Sequence, residues 1–352
     1  MRTDIDASFT PAQIPEEDKA PTAEVDPVVR AALPHGSTVK IVTTHGASFG
    51  AIAKKVDVAL PDGSDKSYFM KIYSSDVGKR MAEAEFEGTA AVHAALPKNT
   101  SRTIGWGTYE SDPNKHFLLL DFHDIEDELP HTSELVSVIA KLHQETLSPN
   151  GKFGFHVGIY GGCQPIDTSW TDTWEEFFTR TFDNSLKGEE TIQGHDYEMT
   201  ELGEAMINKV IPRLLRPMES GGRKLKPCLL HGDLWHGNVG IDLATDEPML
   251  YDFCSLYGHN EFEMHPWRAT RYRINRTHQK AYRRLVEPSA PEEDHDDRNA
   301  LYGVFNDLTV SSNWSANKQT RELAREEMRR LVAKYPNGIA DFHEKQTTVQ
   351  AT

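Results

Sequence analysis

Between residues 37 and 122 the chain alternates. Val39, Ile41 and Thr43 lead into a turn of small residues, Thr44-His45-Gly46-Ala47-Ser48-Phe49-Gly50, and Ile52, Lys54, Val56 and Val58 follow at every second position. That spacing predicts a β-hairpin with a tip bearing Gly and Ser. Pro61-Asp62-Gly63 marks another turn, and Tyr68 to Tyr73 predicts a third strand carrying Lys71 among apolar neighbours. From Lys79 to Leu96 the residues become strong helix formers, with Met81, Ala84, Val92 and Leu96 near one side of the predicted helix. Leu118 to Phe122 reads as a buried strand ending in a polar break. Ser133 to His143 reads as a helix with Leu135, Val138, Ile139 and Leu142 at core spacing.

The second half has the longer period of helices. Lys152 to Pro165 is a glycine-punctuated aromatic loop, and it leads into a helix capped near Thr171 to Thr173 that carries Trp174, Phe177 and Phe178. Leu202 to Leu215 predicts a helix ended by Pro217 and Ser220-Gly221-Gly222. A basic helix is expected over residues 267–285, an exposed acidic loop over 287–297, and closing helices over Asn299 to Val310 and Gln319 to Tyr335. Residues 1–30, rich in Pro, Glu, Asp and Ala, read as a mobile N-terminal arm.

One stretch carries chemistry. Leu229-Leu230-His231-Gly232-Asp233 is an apolar run ending in an exposed Asp; Asn238 follows five residues on, and Asp252 closes a second apolar run, Leu250-Tyr251-Asp252. Taken singly, His231 reads as a structural histidine and either Asp as a cap or turn former. The joint spacing suits phosphoryl transfer, in which one carboxylate accepts the proton of an acceptor hydroxyl while an Asn and a second carboxylate hold magnesium against phosphates. The glycine-bearing tip, with backbone N–H groups able to cover phosphates, and Lys71 in the third strand are the complementary parts.

Composition narrows the classes. The chain has 352 residues, enough for more than one domain, and 54 acids against 38 bases set the net charge at −16. Such a charge argues against nucleic-acid or anionic-membrane binding. The three cysteines, Cys163, Cys228 and Cys254, form neither a disulfide framework nor zinc-ligand spacing, so a reducing, cytoplasmic setting is expected. No run approaches the length of a membrane helix.

The string His231-Gly232-Asp233-Leu234-Trp235-His236-Gly237-Asn238 resembles the fructosamine kinase family, within the aminoglycoside-phosphotransferase-like kinases. The block Phe153-Gly154-Phe155 through Gln164-Pro165, Trp170 and Thr173-Trp174-Glu175-Glu176-Phe177-Phe178 is similar to that family and not to aminoglycoside or choline kinases. Tyr257-Gly258-His259-Asn260-Glu261-Phe262-Glu263 matches its Y-G-H-x-E-x-E/D pattern. Phe253 departs from the family's usual Pro. Ala47 stands where some members carry a redox cysteine, so no loop-linked disulfide dimer is expected.

The resemblance implies an α+β, two-lobed protein-kinase-like fold, with a small β-rich N-lobe over residues 31–121 and a larger, mainly helical C-lobe over 122–345. It implies a monomeric kinase that uses ATP and Mg2+ to phosphorylate the sugar 3-hydroxyl of ketosamines, the adducts of sugars with amines. The roles implied are Asp233 as base, Asn238 and Asp252 as metal ligands, and Lys71 as phosphate partner positioned by Glu85. Gly46, Ala47, Ser48, Phe49 and Gly50 would cover the triphosphate, and the backbone of Leu120, Asp121 and Phe122 would hold adenine. Trp235 would either lie against the sugar ring or pack as a core tryptophan, and His236 would face the sugar. Tyr257, His259 and Glu261 either line the acceptor side or pack and cap the next helix. The rival readings are another small-molecule kinase, for an aminoglycoside or choline, and a catalytically silent nucleotide-binding protein.

Overall fold

The computed structural model describes residues 14–342, apart from Phe49 and Cys163. Residues 1–13 of the expected arm and the tail from 343 lie outside them. The chain divides into two compact units. The first holds residues up to 130 together with 157–163 and 237–255; the second holds 131–156, 164–236 and the remainder from 256.

The first unit is built on one five-stranded sheet. After α1 (Pro27–Ala32) come β1 (Thr38–Ser48), β2 (Ala51–Ala59), β3 (Asp65–Ser74), α2 (Ser75–Ala95), β4 (Thr103–Thr108) and β5 (Lys115–Asp121). The strand order is β1-β2-β3-β5-β4, all neighbours antiparallel. Strand alternation sends two sets of side chains to opposite faces. Val39, Val42, Val56, Val58, Tyr68, Met70, Phe117 and Leu119 pack with Val29 and Leu33 of the α1 segment. Ala51, Tyr73, Leu118 and Leu120 pack with Ala82 of α2 on the other. Asp26 caps α1, accepting the Val28 N–H at 3.0 Å, and also accepts the N–H groups of Glu110 and Ser111. The short strands Ile125–Glu126, Val239–Asp242 and Pro248–Leu250 form a second sheet in this unit.

Strand β4 has no counterpart in the sequence reading. Gly105 and Gly107 interrupt its alternation, and its pairing with β5 alone reveals it.

The second unit is mainly helical: α3 (Thr132–Glu145), α4 (Trp174–Gln193), a helical run over 197–219, α5 (Arg276–Tyr282), α6 (His295–Asn313) and α7 (Lys318–Lys334). Thr173 caps α4, accepting the Glu176 N–H at 3.2 Å. Trp174, fully buried, stacks on Phe177 with ring centroids 5.3 Å apart and donates its Nε1–H to the Tyr302 hydroxyl at 2.8 Å. Phe178, Phe262 and Phe305 complete this aromatic core.

Two expectations fail in this unit. The helix expected over 267–285 is only the turn Pro266–Arg268 and α5; Asn275 starts α5 with a capping box, accepting the Thr277 N–H at 2.9 Å. The acidic loop over 287–297 is solvated only in part: Glu287, Glu292, Glu293 and Asp296 are exposed, whereas Asp294 and Asp297 are not. Asp294 is buried on Arg213 at 2.6 Å, and buried Asp297 takes Arg330 at 3.0 Å, Lys334 and the Tyr335 hydroxyl. Their partners come from distant helices, which local composition cannot show. Among the described residues no helix is long and apolar enough to cross a membrane.

Candidate active site

In the first unit, antiparallel register places Gly46, Ala53, Lys71 and Leu118 as successive cross-strand partners. The glycine-bearing hairpin and the strand lysine therefore share one row of the sheet. The ladder runs as far as Ser48 opposite Ala51, so Gly46, Ala47 and Ser48 are strand residues. The turn expected over Thr44 to Gly50 thus begins as strand, through Ser48. Phe49 lies outside the described residues; Gly50 takes a left-handed φ of 80°.

Lys71 is buried, and its Nζ lies 2.6 Å from Glu85 Oε1 and 2.5 Å from Asp252 Oδ1. Of Glu83, Glu85 and Glu87 on α2, Glu85 is the buried one. The Tyr73 hydroxyl donates to its other oxygen. Burial works against the Lys71 charge, but Asp252 and Glu85 outweigh it and hold the ammonium well above its ordinary range. Burial pushes the Glu85 carboxyl up; Lys71 opposes that shift, and the charge on Asp252 adds to it.

Gly88, one turn beyond Glu85, permits this geometry. A Cβ there would stand 3.2 Å from the Ser255 side chain and 3.4 Å from Phe253 Cβ, so any larger residue would press α2 against the segment that follows Asp252. Asp252 itself sits at φ 61°, a left-handed conformation uncommon outside glycine and concentrated at functional sites. The hairpin Val239–Asp242 with Pro248–Leu250 brings Asn238 to it: the Tyr251 N–H donates to the Asn238 carbonyl at 3.1 Å. Asn238 is buried.

No group of three or more His, Cys, Asp or Glu side chains able to hold a metal exists among the described residues. Asn238 and Asp252 offer one amide oxygen and one carboxylate. That donor set fits magnesium, which takes one or two carboxylates and completes its shell with phosphate oxygens and water. It would not make a self-sufficient protein cage.

The connector at the end of β5 differs from expectation. The Asp121 N–H donates to the Arg102 carbonyl at 2.9 Å and the Phe122 N–H to the Ser67 carbonyl at 3.4 Å. Leu120 lies in the ladder, opposite Phe69 and Thr103. Two backbone donors expected for adenine are thus committed. What the sequence reading missed is an aromatic group: the His45 ring meets Phe69 edge-on at 5.9 Å and Phe122 at 5.5 Å, with Lys55 Nζ 4.8 Å from the Phe122 centroid. The β1-β2-β3 register could have signalled it.

The second unit holds Asp233. Gly232, at φ 84°, turns the chain sharply after the buried strand Cys228–Leu230 and leaves Asp233 half-buried. The loop is fastened from behind. Glu263, fully buried, accepts the His231 N–H at 2.7 Å, the Gly232 N–H at 2.9 Å and a bond from His143 Nε2 at 3.1 Å. Burial would raise the Glu263 pKa, but His143 and the loop N–H groups outweigh it and hold the carboxyl below its ordinary range. The Asp233 N–H donates to His231 Nδ1 at 3.3 Å, and Trp267 Nε1–H to the Leu234 carbonyl at 2.8 Å. His231 is thus a positioning residue, and so is Glu263, which the sequence reading passed over although the Y-G-H-x-E-x-E/D pattern contains it.

Glu263→Gln should set an amide N–H2 against a backbone donor. It is expected to cost about 1–3 kcal/mol of stability and to lower kcat about tenfold or more at unchanged KM for ATP. Thermal unfolding and steady-state kinetics check both; wild-type kcat in a folded variant would show that the loop holds itself.

Trp235 and His236 are half-buried, their rings edge-on at 4.9 Å, and Tyr272 lies 5.6 Å from Trp235. His259 is 1% exposed, and its ring nitrogens bond the Tyr302 hydroxyl at 2.9 Å and the Ser289 hydroxyl at 2.8 Å. Burial lowers its pKa to about 4. Of the two roles held open for it, this placement is the packing one. Tyr257 is half-buried and stacks on Trp170 with centroids 6.1 Å apart.

Residues 29–334 match the family model described as Fructosamine kinase. The chain is 27% identical over 238 residues to the chloroplastic protein-ribulosamine 3-kinase of Oryza sativa subsp. japonica, a stretch covering 68% of this chain and 66% of that relative. It is 28% identical over 218 residues to the ketosamine-3-kinase of Mus musculus, covering 56% of this chain and 67% of that one. The chain thus spans about two thirds of the length of these curated relatives. A crystal structure described as a candidate fructosamine-3-kinase from Thermobifida fusca YX-ER1 matches with a TM-score of 0.68 at 18% identity, covering 88% of this chain and 100% of that one. At that identity the likeness establishes the fold: α+β and protein-kinase-like, a small β-rich part and a larger helical part.

Proposed function

The chain belongs to the fructosamine kinase family, and from that premise we propose that it is an ATP-dependent kinase that phosphorylates the sugar 3-hydroxyl of ketosamines. The observation that carries this reading is buried Lys71, held between Glu85 at 2.6 Å and Asp252 at 2.5 Å. A buried ammonium between two carboxylates, one of them in a left-handed backbone conformation, is built for phosphate rather than for stability. The names of the rice and mouse relatives support the acceptor and the position on it.

Each residue then has a task. Asp233 orients the acceptor hydroxyl and takes its proton as the hydroxyl oxygen attacks the γ-phosphorus and ADP leaves. Lys71 holds phosphate oxygens, and Glu85 keeps the ammonium in place. Asn238 and Asp252 are the residues that would hold magnesium, which when bound neutralises phosphate charge. Gly46 to Gly50 cover the triphosphate, with the backbone around Leu120, Asp121 and Phe122 beside the adenine. His45, Phe69 and Phe122 offer aromatic surface for a flat base. Trp235 and His236 border the sugar. Catalysis is mostly positioning and charge neutralisation, since phosphoryl transfer asks little covalent help of the protein. We place the reaction in the cytosol, on a monomer.

A mass-spectrometric acceptor panel with Mg-ATP tests this. Ribulose-lysine and fructose-lysine should gain phosphate, while an aminoglycoside and choline should not. Transfer confined to the last two would keep the fold and overturn the function.

A further inference from the structure

Four arginines stand between residues 268 and 276, and three are paired. Arg268 holds Asp296 at 3.0 Å and Glu327 at 3.6 Å, Arg271 holds Asp307 at 2.5 Å, and Arg276 reaches Asp296 at 3.5 Å. Arg273 is exposed and has no carboxylate partner among the described residues. On a chain of net charge −16, a guanidinium with no carboxylate paired to it keeps its charge available to an external anion.

Its place gives that freedom a use. The Arg273 N–H donates to His236 Nδ1 at 3.3 Å, which ties its backbone to the loop that presents Asp233 three residues earlier. Its neighbour Tyr272 lies 5.6 Å from the Trp235 ring and 5.9 Å from the His236 ring, both centroid to centroid. Arg271 is spent: its guanidinium lies 4.8 Å from the Tyr272 centroid and is neutralised by Asp307. Trp235, His236 and Tyr272 are half-buried and keep surface open to a ligand. The second unit therefore offers, starting within three residues of Asp233, an aromatic wall of Trp235, His236 and Tyr272, with the Arg273 backbone bonded to the His236 ring.

A ketosamine has two parts. The sugar presents hydroxyls and an apolar ring face, and the amine carrier extends from it. With the reacting hydroxyl at Asp233 and the sugar against Trp235, the carrier is the part left to meet Arg273. The planar fork of a guanidinium matches a carboxylate. We propose that Arg273 is a specificity-determining residue that binds the carboxylate of the amine carrier. The acceptor class is then ketosamines of free amino acids, ahead of ketosamines on neutral amines or on lysine side chains within a protein. This rests on the acceptor reading given under the proposed function.

The test uses the full chain and two probes that differ in one group: the fructose adduct of the ε-amine of Nα-acetyl-lysine, as free carboxylate and as carboxamide. Calorimetric affinities are measured for wild type, Arg273→Ala, Arg273→Lys and the control Arg276→Ala, with kcat and KM alongside. Wild type should bind the carboxylate about fivefold more tightly, as one charge-assisted pair near solvent provides. Arg273→Ala should erase that preference through KM with kcat unchanged, Arg273→Lys should keep part of it, and Arg276→Ala should keep all of it. Equal affinities in wild type, or a preference that survives Arg273→Ala, overturn the assignment. Preferential binding that depends on Arg273 without phosphoryl transfer would uphold the subsite and defeat the kinase reading, so the two failures are distinguishable.

Discussion

Asp233→Asn is expected to lower kcat by about 10³-fold or more while leaving Mg-ATP affinity within about a factor of two. The side chains differ by one polar atom, and Glu263, His231 and Trp267 hold the loop that carries Asp233 through bonds to its backbone N–H and C=O groups. Geometry should survive; the capacity to accept a proton should not. Asp233 belongs to the second unit, whereas Lys71, Glu85, Asn238 and Asp252 belong to the first. Nucleotide binding and acceptor activation should therefore separate, and steady-state kinetics beside calorimetric ATP titration read the two. Turnover within tenfold of wild type would remove Asp233 from the role of base.

Lys71→Met is the second large effect. It keeps the length of the side chain and removes the charge between Glu85 and Asp252. ATP affinity should fall about tenfold and kcat/KM about 10³-fold or more. Stability should change with pH in a defined direction. Glu85 already has a raised pKa, and Lys71 is the group that restrains it. Without Lys71 the folded state holds a proton that the unfolded state has released. Stability then falls as pH rises from the unfolded carboxyl value through the raised folded one. The melting temperature of the variant should drop more steeply than that of wild type as pH rises above the ordinary carboxyl range. Parallel curves would mean that Lys71 does not hold the Glu85 charge.

Much of the site was legible because phosphoryl transfer needs few residue types at tight spacing. Asp233, Asn238 and Asp252 stand at the ends of apolar runs, where local sequence is enough to place them. Lys71 needed a third strand and its glutamate a following helix, which alternation and helix formers supply, but among Glu83, Glu85 and Glu87 only the family resemblance selects Glu85. Legibility stopped where partners are distant. Asp294 and Asp297 read as solvated because Arg213, Arg330 and Lys334 stand tens of residues away. The Asp121 and Phe122 N–H groups read as free because their acceptors, Arg102 and Ser67, lie on other segments. His259 read as a possible acceptor-side residue, since a buried network through Tyr302 and Ser289 leaves no local mark. The run 267–285 read as one helix from its charges, which carry no 3.6-residue apolar period; Asn275 restarts it.

Position of transfer is the most direct test of the whole account. Wild-type enzyme, Mg-ATP and fructose-lysine are incubated, and the product is examined by two-dimensional phosphorus–proton correlation. The account predicts a phosphate coupled to the proton on carbon 3 of the sugar, absent with Asp233→Asn. Phosphate on any other hydroxyl, or the same product from Asp233→Asn, would contradict it.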